Sequence, residues 1–178
     1  MNEAHEREVF LDILRRAFTH ARRGATGAVE ALLDAGVDPN LTNAAGDTLL
    51  MLAAYHGHAD TVELLLTRGA EPDRVNDRGQ APLAGAAFKG DVAVVSTLLA
   101  GGATVDFKDP RGRTALMFAA MFDRTDTLLE LRAAGADPSI RDDAGQAALE
   151  LAHAMGATGA VGVLAGKHAG CAVGGPCP

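Results

Sequence analysis

His56 and His58 stand on either side of Gly57, and two imidazoles this close could begin a metal site. Such a site needs at least one more ligand at a fitting distance along the chain, and no third ligand is spaced for it. Cys171 and Cys177, with His168, offer thiols and an imidazole, but their spacing is not that of a zinc knuckle. Asp142 and Asp143 could pair as acid and base. They fall in a turn, however, where Asp is expected for local hydrogen bonding. There is no Walker-type phosphate loop and no Gly-x-Ser-x-Gly elbow, and Ser is scarce. These residues give no ground for expecting a catalytic centre, a metal or a cofactor.

The bulk properties point the same way. Of 178 residues, 48% are hydrophobic but only 4% aromatic, with no Trp. A core of Ala, Leu and Val suits close-packed helices better than aromatic-rich sheets. The length suits one domain. The net charge of −7 disfavours non-specific binding to nucleic acid or an anionic membrane. The charged first residues show no secretory signal, and no stretch is apolar enough to cross a bilayer. A cytoplasmic location is expected, and the richness in Ala, Gly and Arg suits a bacterial source.

The elements that position these residues announce themselves by repetition. Gly46, Gly79, Gly112 and Gly145 are spaced 33 residues apart. Leu50, Leu83, Leu116 and Leu149 follow the same interval, as do Ala53, Ala86, Ala119 and Ala152. A second register, Gly36, Gly69, Gly102 and Gly135, closes the segments ending in Leu32-Leu33, Leu65-Leu66, Leu98-Leu99 and Leu131-Arg132. Asn76 to Lys108 shows one unit. Asn76-Asp77-Arg78-Gly79 reads as a turn, and Pro82 suits the first turn of a helix whose buried face holds Leu83, Ala86 and Ala87. Lys89-Gly90-Asp91 ends that helix and caps a second one, striped by Val94, Val95, Leu98 and Leu99. Helices of about two turns do not persist alone, so each unit must bury its apolar face on its neighbours. Leu65, Leu98 and Leu131 are expected between copies.

The pattern Gly46-Asp47-Thr48-Leu49-Leu50-Met51-Leu52-Ala53-Ala54-Tyr55-His56-Gly57-His58, followed by Val62 to Ala70, resembles the ankyrin repeat. The resemblance covers roughly residues 10–168. It implies an all-α solenoid of about five helix–turn–helix units joined by β-turn hairpins. The expected organisation is an N-terminal capping repeat at 1–42, repeats at 43–75, 76–108 and 109–141, and a C-terminal capping repeat at 142–168. Residues 169–178 would form a disordered Gly-rich tail. Within the first cap, a helix from Phe10 to Arg23 is followed by a partner from Thr26 to Leu33. Gly159, Gly162 and Gly166 should weaken the last helix, each by roughly 1 kcal/mol against Ala. The family's Thr-Pro-Leu-His block is degraded in every copy, so its hydrogen bonds should be incomplete. His58 falls where the family commonly carries a structural His. Asp123 replaces the Gly found at Gly57, Gly90 and Gly156, at roughly 1–2 kcal/mol if it is left-handed.

The resemblance also implies a concave binding surface made by the turn tips and the ends of the first helices. The residues there are Arg22 and Arg23, Tyr55 and His56, Phe88 and Lys89, Met121 and Phe122, and Ala154 and Met155. Aromatics and Met are enriched in interface cores, although packing against adjacent turns would also explain them. The turn tips add Arg78, Lys108, Arg111, Arg113 and Arg141, with Asp47, Asp77 and Asp143. Acids such as Glu30, Asp34, Glu63 and Glu130 lie on the second helices. The expectation is a basic, aromatic-studded groove and an acidic back. The function implied is non-catalytic binding, by a monomer, of a protein partner with an acidic surface, in a regulatory or accessory role and with no membrane contact. Nucleic-acid binding through the basic face is the alternative, with Tyr55, Phe88 and Phe122 as stacking platforms.

Overall fold

The computed structural model describes residues 3–166. Among them are ten helices in five pairs: α1 Glu3–Arg23, α2 Thr26–Asp34, α3 Leu49–Tyr55, α4 Ala59–Thr67, α5 Pro82–Lys89, α6 Val92–Ala100, α7 Ala115–Met121, α8 Thr125–Ala133, α9 Ala148–Met155 and α10 Thr158–Leu164. The odd-numbered helices pack in sequence as one layer, the even-numbered as a second. Helix α1 begins well before Phe10, since no Gly or Pro between Glu3 and Phe10 stops it. The expected tail at 169–178, with Cys171 and Cys177, and His168 just before it, lies outside the described residues.

The core sits between the layers. Leu50, Leu83 and Leu116 are no more than 1% exposed, and Ala53, Ala86, Ala119 and Ala152 are fully buried. Alanines at this face let the first helices approach closely, while Leu65, Leu98 and Leu131, all fully buried, fill the space between them and the second layer. Pro82 occupies the first turn of α5, and the Asp91 side chain caps α6 by accepting from the Val94 amide at 3.1 Å.

Hairpins join successive pairs. In each, the Oδ1 of Asn43, Asn76, Asp109 or Asp142 accepts from amides two and four residues ahead. This local satisfaction of the backbone explains why Asn and Asp recur there. Neighbouring hairpins also touch tip to tip. The Asp77 amide donates to the Ala45 carbonyl at 3.2 Å, and the Asp143 amide to the Arg111 carbonyl at 3.0 Å. Between the second and third hairpins the equivalent residue is Pro110, which has no N–H to give. Its ring lies instead on Gly79, leaving no room there for a Cβ.

Two family signatures survive in altered form. Thr48 accepts from the Met51 amide at 3.0 Å, but the equivalent Thr114 hydroxyl is buried with no partner among the described residues. His58 Nε2 bonds the Arg22 carbonyl at 2.9 Å, and two periods on Arg124 Nε donates to the Phe88 carbonyl at 3.1 Å. Asp123 is left-handed, with φ 55°. Its Oδ1 accepts from the Ala160 amide of the next pair at 2.6 Å, capping α10 in place of Ala157, which has no capping side chain. Gly159 makes room for this: a Cβ there would lie 2.9 Å from Asp123 Oδ1 and 2.7 Å from Thr125 Cγ2.

Candidate functional site

Position 55 ends α3, position 88 lies near the end of α5, and position 121 ends α7. One period apart, these sites fall in a row across the first-helix layer. Tyr55 and Phe88 stack with ring centres 6.3 Å apart, and Phe88 meets Phe122 edge to face at 4.4 Å. Both geometries are favourable for aromatic quadrupoles. The ladder therefore partly packs against itself, which answers the competing explanation only in part: Tyr55 remains 42% exposed.

Beside the ladder lies an open cleft of about 540 Å³. Tyr55, His56, Phe88, Met121 and Phe122 line it on the helix side, and Arg78 and Arg113 on the hairpin side. Seven of the expected site residues thus converge on one place. The others do not line it. Arg22 and Arg23 lie at the end of α1, Arg111 at an exposed hairpin tip, and Met155 at the far end of the stack, 54% exposed. Lys89 sits over the Tyr55 ring, its Nζ 5.1 Å from the centroid, a cation–π placement.

The charge pattern needs correction at the hairpins. Arg113 is not an outward tip cation. Its Nη2 and Nε donate to Asp109 Oδ2 at 2.7 and 2.9 Å, and its guanidinium covers the Phe118 ring at 4.7 Å. The Asp109 carboxyl is pushed up by burial, but hydrogen bonds from the Arg113 side chain and from the Arg113 and Arg111 amides hold it below its ordinary value. Arg141 is likewise engaged, with Glu150 at 3.1 Å. Asp47 is drawn inward too, accepting from Asn43 and Asn76 side-chain amides at 3.1 and 2.9 Å. Arg78, by contrast, makes no ion pair among the described residues. The acidic back is partly neutralised: Arg68 reaches Glu30 at 2.8 Å and Asp34 at 2.6 Å.

His56 stacks on His58 with ring centres 6.4 Å apart. Burial lowers its imidazole below the ordinary value, and His58, Arg22 and Lys89 push the same way. His56 therefore stays neutral at pH 7. No cluster of three or more His, Cys, Asp or Glu suited to a metal occurs among the described residues.

The cleft's floor was not anticipated from the sequence. The cleft is lined in α3 by Met51 and Leu52 and in α7 by Phe118; in α5, one period between them, it is lined by Ala84 and Gly85. The cleft is the volume those side chains leave. The signal was present as a break in the repeat, two small residues where both neighbours are large.

A two-layer stack of helix pairs joined by hairpins at a 33-residue spacing defines a helical repeat protein. The ankyrin-repeat family model, describing three copies, matches residues 18–109 and again 83–174, and the chain belongs to this family. It is 51% identical over 55 residues to a protein of Pseudomonas aeruginosa described as an ankyrin repeat protein. That match covers 28% of this chain and 32% of the relative's length. Ankyrin repeats are in general protein-interaction modules. Among the described residues, no helix is long and apolar enough to cross a membrane.

Proposed function

We propose that the chain is a non-catalytic interaction module that holds a partner protein in the groove between its first helices and its hairpin tips. The observation that carries this is the convergence of Tyr55, Phe88, Phe122 and Met121 with Arg78 on one cleft. Aromatic and Arg side chains at the centre of a concave surface are the residue types that dominate binding energy. The carboxylate lining the cleft, Asp47, accepts hydrogen bonds from the Asn43 and Asn76 side chains, and Asp109 nearby on the third hairpin is paired with Arg113. Arg22, Arg23, Lys89 and Arg111 would border the contact, and Met155 would extend it only for a long partner. The functional unit would be a monomeric domain spanning 1–168, with capping repeats at 1–42 and 142–168, acting in the bacterial cytoplasm.

The test is affinity capture from cell extract with the wild-type chain, a Phe88→Ala/Phe122→Ala variant and a Glu63→Lys variant, read by quantitative mass spectrometry. A partner retained by wild type and Glu63→Lys but lost by the aromatic variant supports the groove. A partner lost only by Glu63→Lys would move the site to the second-helix face. The nucleic-acid alternative depends on free cations, and the pairing of Arg113 and Arg141 removes two of them. Titration with a random single-stranded oligonucleotide at two salt concentrations tests it, because phosphate contacts weaken steeply with salt.

A further inference from the structure

Resting on the groove reading, we propose that the notch at Ala84-Gly85 is a socket for one large apolar side chain, aromatic or Leu, carried by an extended acidic segment of the partner. A carboxylate beside that anchor meets Arg78.

The argument starts from a loss. Gly in a helix interior costs roughly 1 kcal/mol against Ala, and Gly85 lies within α5. Its conformation does not demand Gly, since a Cβ there meets only Tyr55 Cδ2 at 3.6 Å, an ordinary contact. The fold would therefore accept a larger residue, and the neighbouring repeats carry Leu52 and Phe118 in its place. The helix surrenders both propensity and burial at this point, and what results is a cleft walled by Leu52, Phe118 and the Tyr55–Phe88–Phe122 ladder. An apolar hollow between rings suits an apolar side chain.

The cleft's lining runs from Ala45 and Asp47 on the first hairpin to Phe122 at the end of α7, the fourth first-layer helix. An extended segment fits such a trough and points alternate side chains to floor and solvent, so one anchor enters while its neighbours meet the rim. On that rim Arg78 is the cation that makes no ion pair among the described residues, while Asp47 and Asp109 are already satisfied. Charge complementarity therefore favours an acidic residue next to the anchor. A nucleic-acid strand would need several free cations in a row, and Arg113 and Lys89 are engaged by Asp109 and Tyr55.

The experiment is selection of a phage-displayed library of random peptides on the full chain. Synthesised winners are then titrated against wild type, Ala84→Met/Gly85→Leu, Arg78→Glu and Phe122→Ala. The filled variant copies residue types already present in α3 and α7, so its melting temperature should hold or rise. The expected winners share an aromatic or Leu next to Asp or Glu. They should bind the filled variant and Arg78→Glu each about tenfold more weakly or worse, the scale of an interface anchor. Winners weakened by Phe122→Ala but indifferent to the filled notch overturn the socket and leave the groove standing. Winners indifferent to every one of these substitutions overturn both. Basic winners, winners without an apolar residue, displacement of winners by single-stranded oligonucleotide at physiological salt, or a selection that enriches nothing would also overturn the proposal.

Discussion

Thr61 and Thr127 stand two periods apart and are both buried, yet their hydroxyls fare differently. Thr61 shares a hydrogen bond with Thr26 at 2.7 Å, whereas the residue facing Thr127 in the same register is Val92, and the Thr127 hydroxyl has no partner among the described residues. An unsatisfied buried hydroxyl costs about 1–3 kcal/mol. Thr127→Val, which keeps the shape, should therefore leave stability unchanged or raise it by about 1 kcal/mol in urea unfolding. Thr61→Val should lose about 1 kcal/mol by orphaning Thr26; equal effects at the two sites would contradict the assignment. His56 supplies a pH dependence. Its folded value lies below the ordinary 6.5, so as pH falls through 6.5 the unfolded chain binds the proton first. Stability should decline from pH 7 to pH 5, and His56→Gln should flatten that part of the curve. Residue types were legible at this scale, but commitments were not. The sequence marked Arg113 as a cation beside the groove. That Asp109, four residues earlier, would cancel it is a matter of hairpin geometry.

At the scale of elements, the periodic Leu and Ala positions placed the helices, and the burial of Leu65, Leu98 and Leu131 follows from that period alone. Leu98→Ala should cost roughly 2–5 kcal/mol, as deletion of a fully buried Leu does; thermal or urea unfolding measures it, and a loss under about 0.5 kcal/mol would mean Leu98 carries little of the packing. What the period hid was compensation between units. Asp123 breaks the glycine register and reads as a cost, yet it caps a helix 37 residues along the chain. The clue was Ala157, a poor cap at the start of α10. Asp123→Ala keeps the left-handed strain and loses the cap, so it should destabilise by about 2 kcal/mol. Asp123→Gly relieves one as it loses the other and should fall within about 0.5 kcal/mol of wild type. If both variants unfold alike, the cap contributes nothing.

For the molecule as a whole, the solenoid was legible because its signal repeats, so no single misread position disturbs it. The groove was legible only as a family expectation plus a stripe of aromatics; its depth came from an irregularity, and irregularities carry no period. The charge map also changes a kinetic expectation. With a partner in hand, reversing Arg78 and Arg111 to Glu should slow association, and the effect should shrink as salt rises, since exposed charges act through a screened field. Arg113 belongs outside that set, because its reversal would set two carboxylates together at Asp109 and register as lost stability. Stopped-flow association at two ionic strengths, beside melting curves for each variant, separates the two behaviours.

Pro110 gives the stack a mechanical character. A hydrogen bond fixes direction as well as distance, so the first two hairpins are pinned to one another, and so are the last two. Pro110 resting on Gly79 fixes distance alone. The row of tips is thus bonded in two pairs, and the seam between them lies beside Arg78, which lines the cleft. Shear or splay at this point ruptures no backbone bond, whereas the same displacement at either neighbouring tip ruptures one. Among the described hairpin tips, this seam is the place where the trough would widen without breaking a tip-to-tip backbone bond.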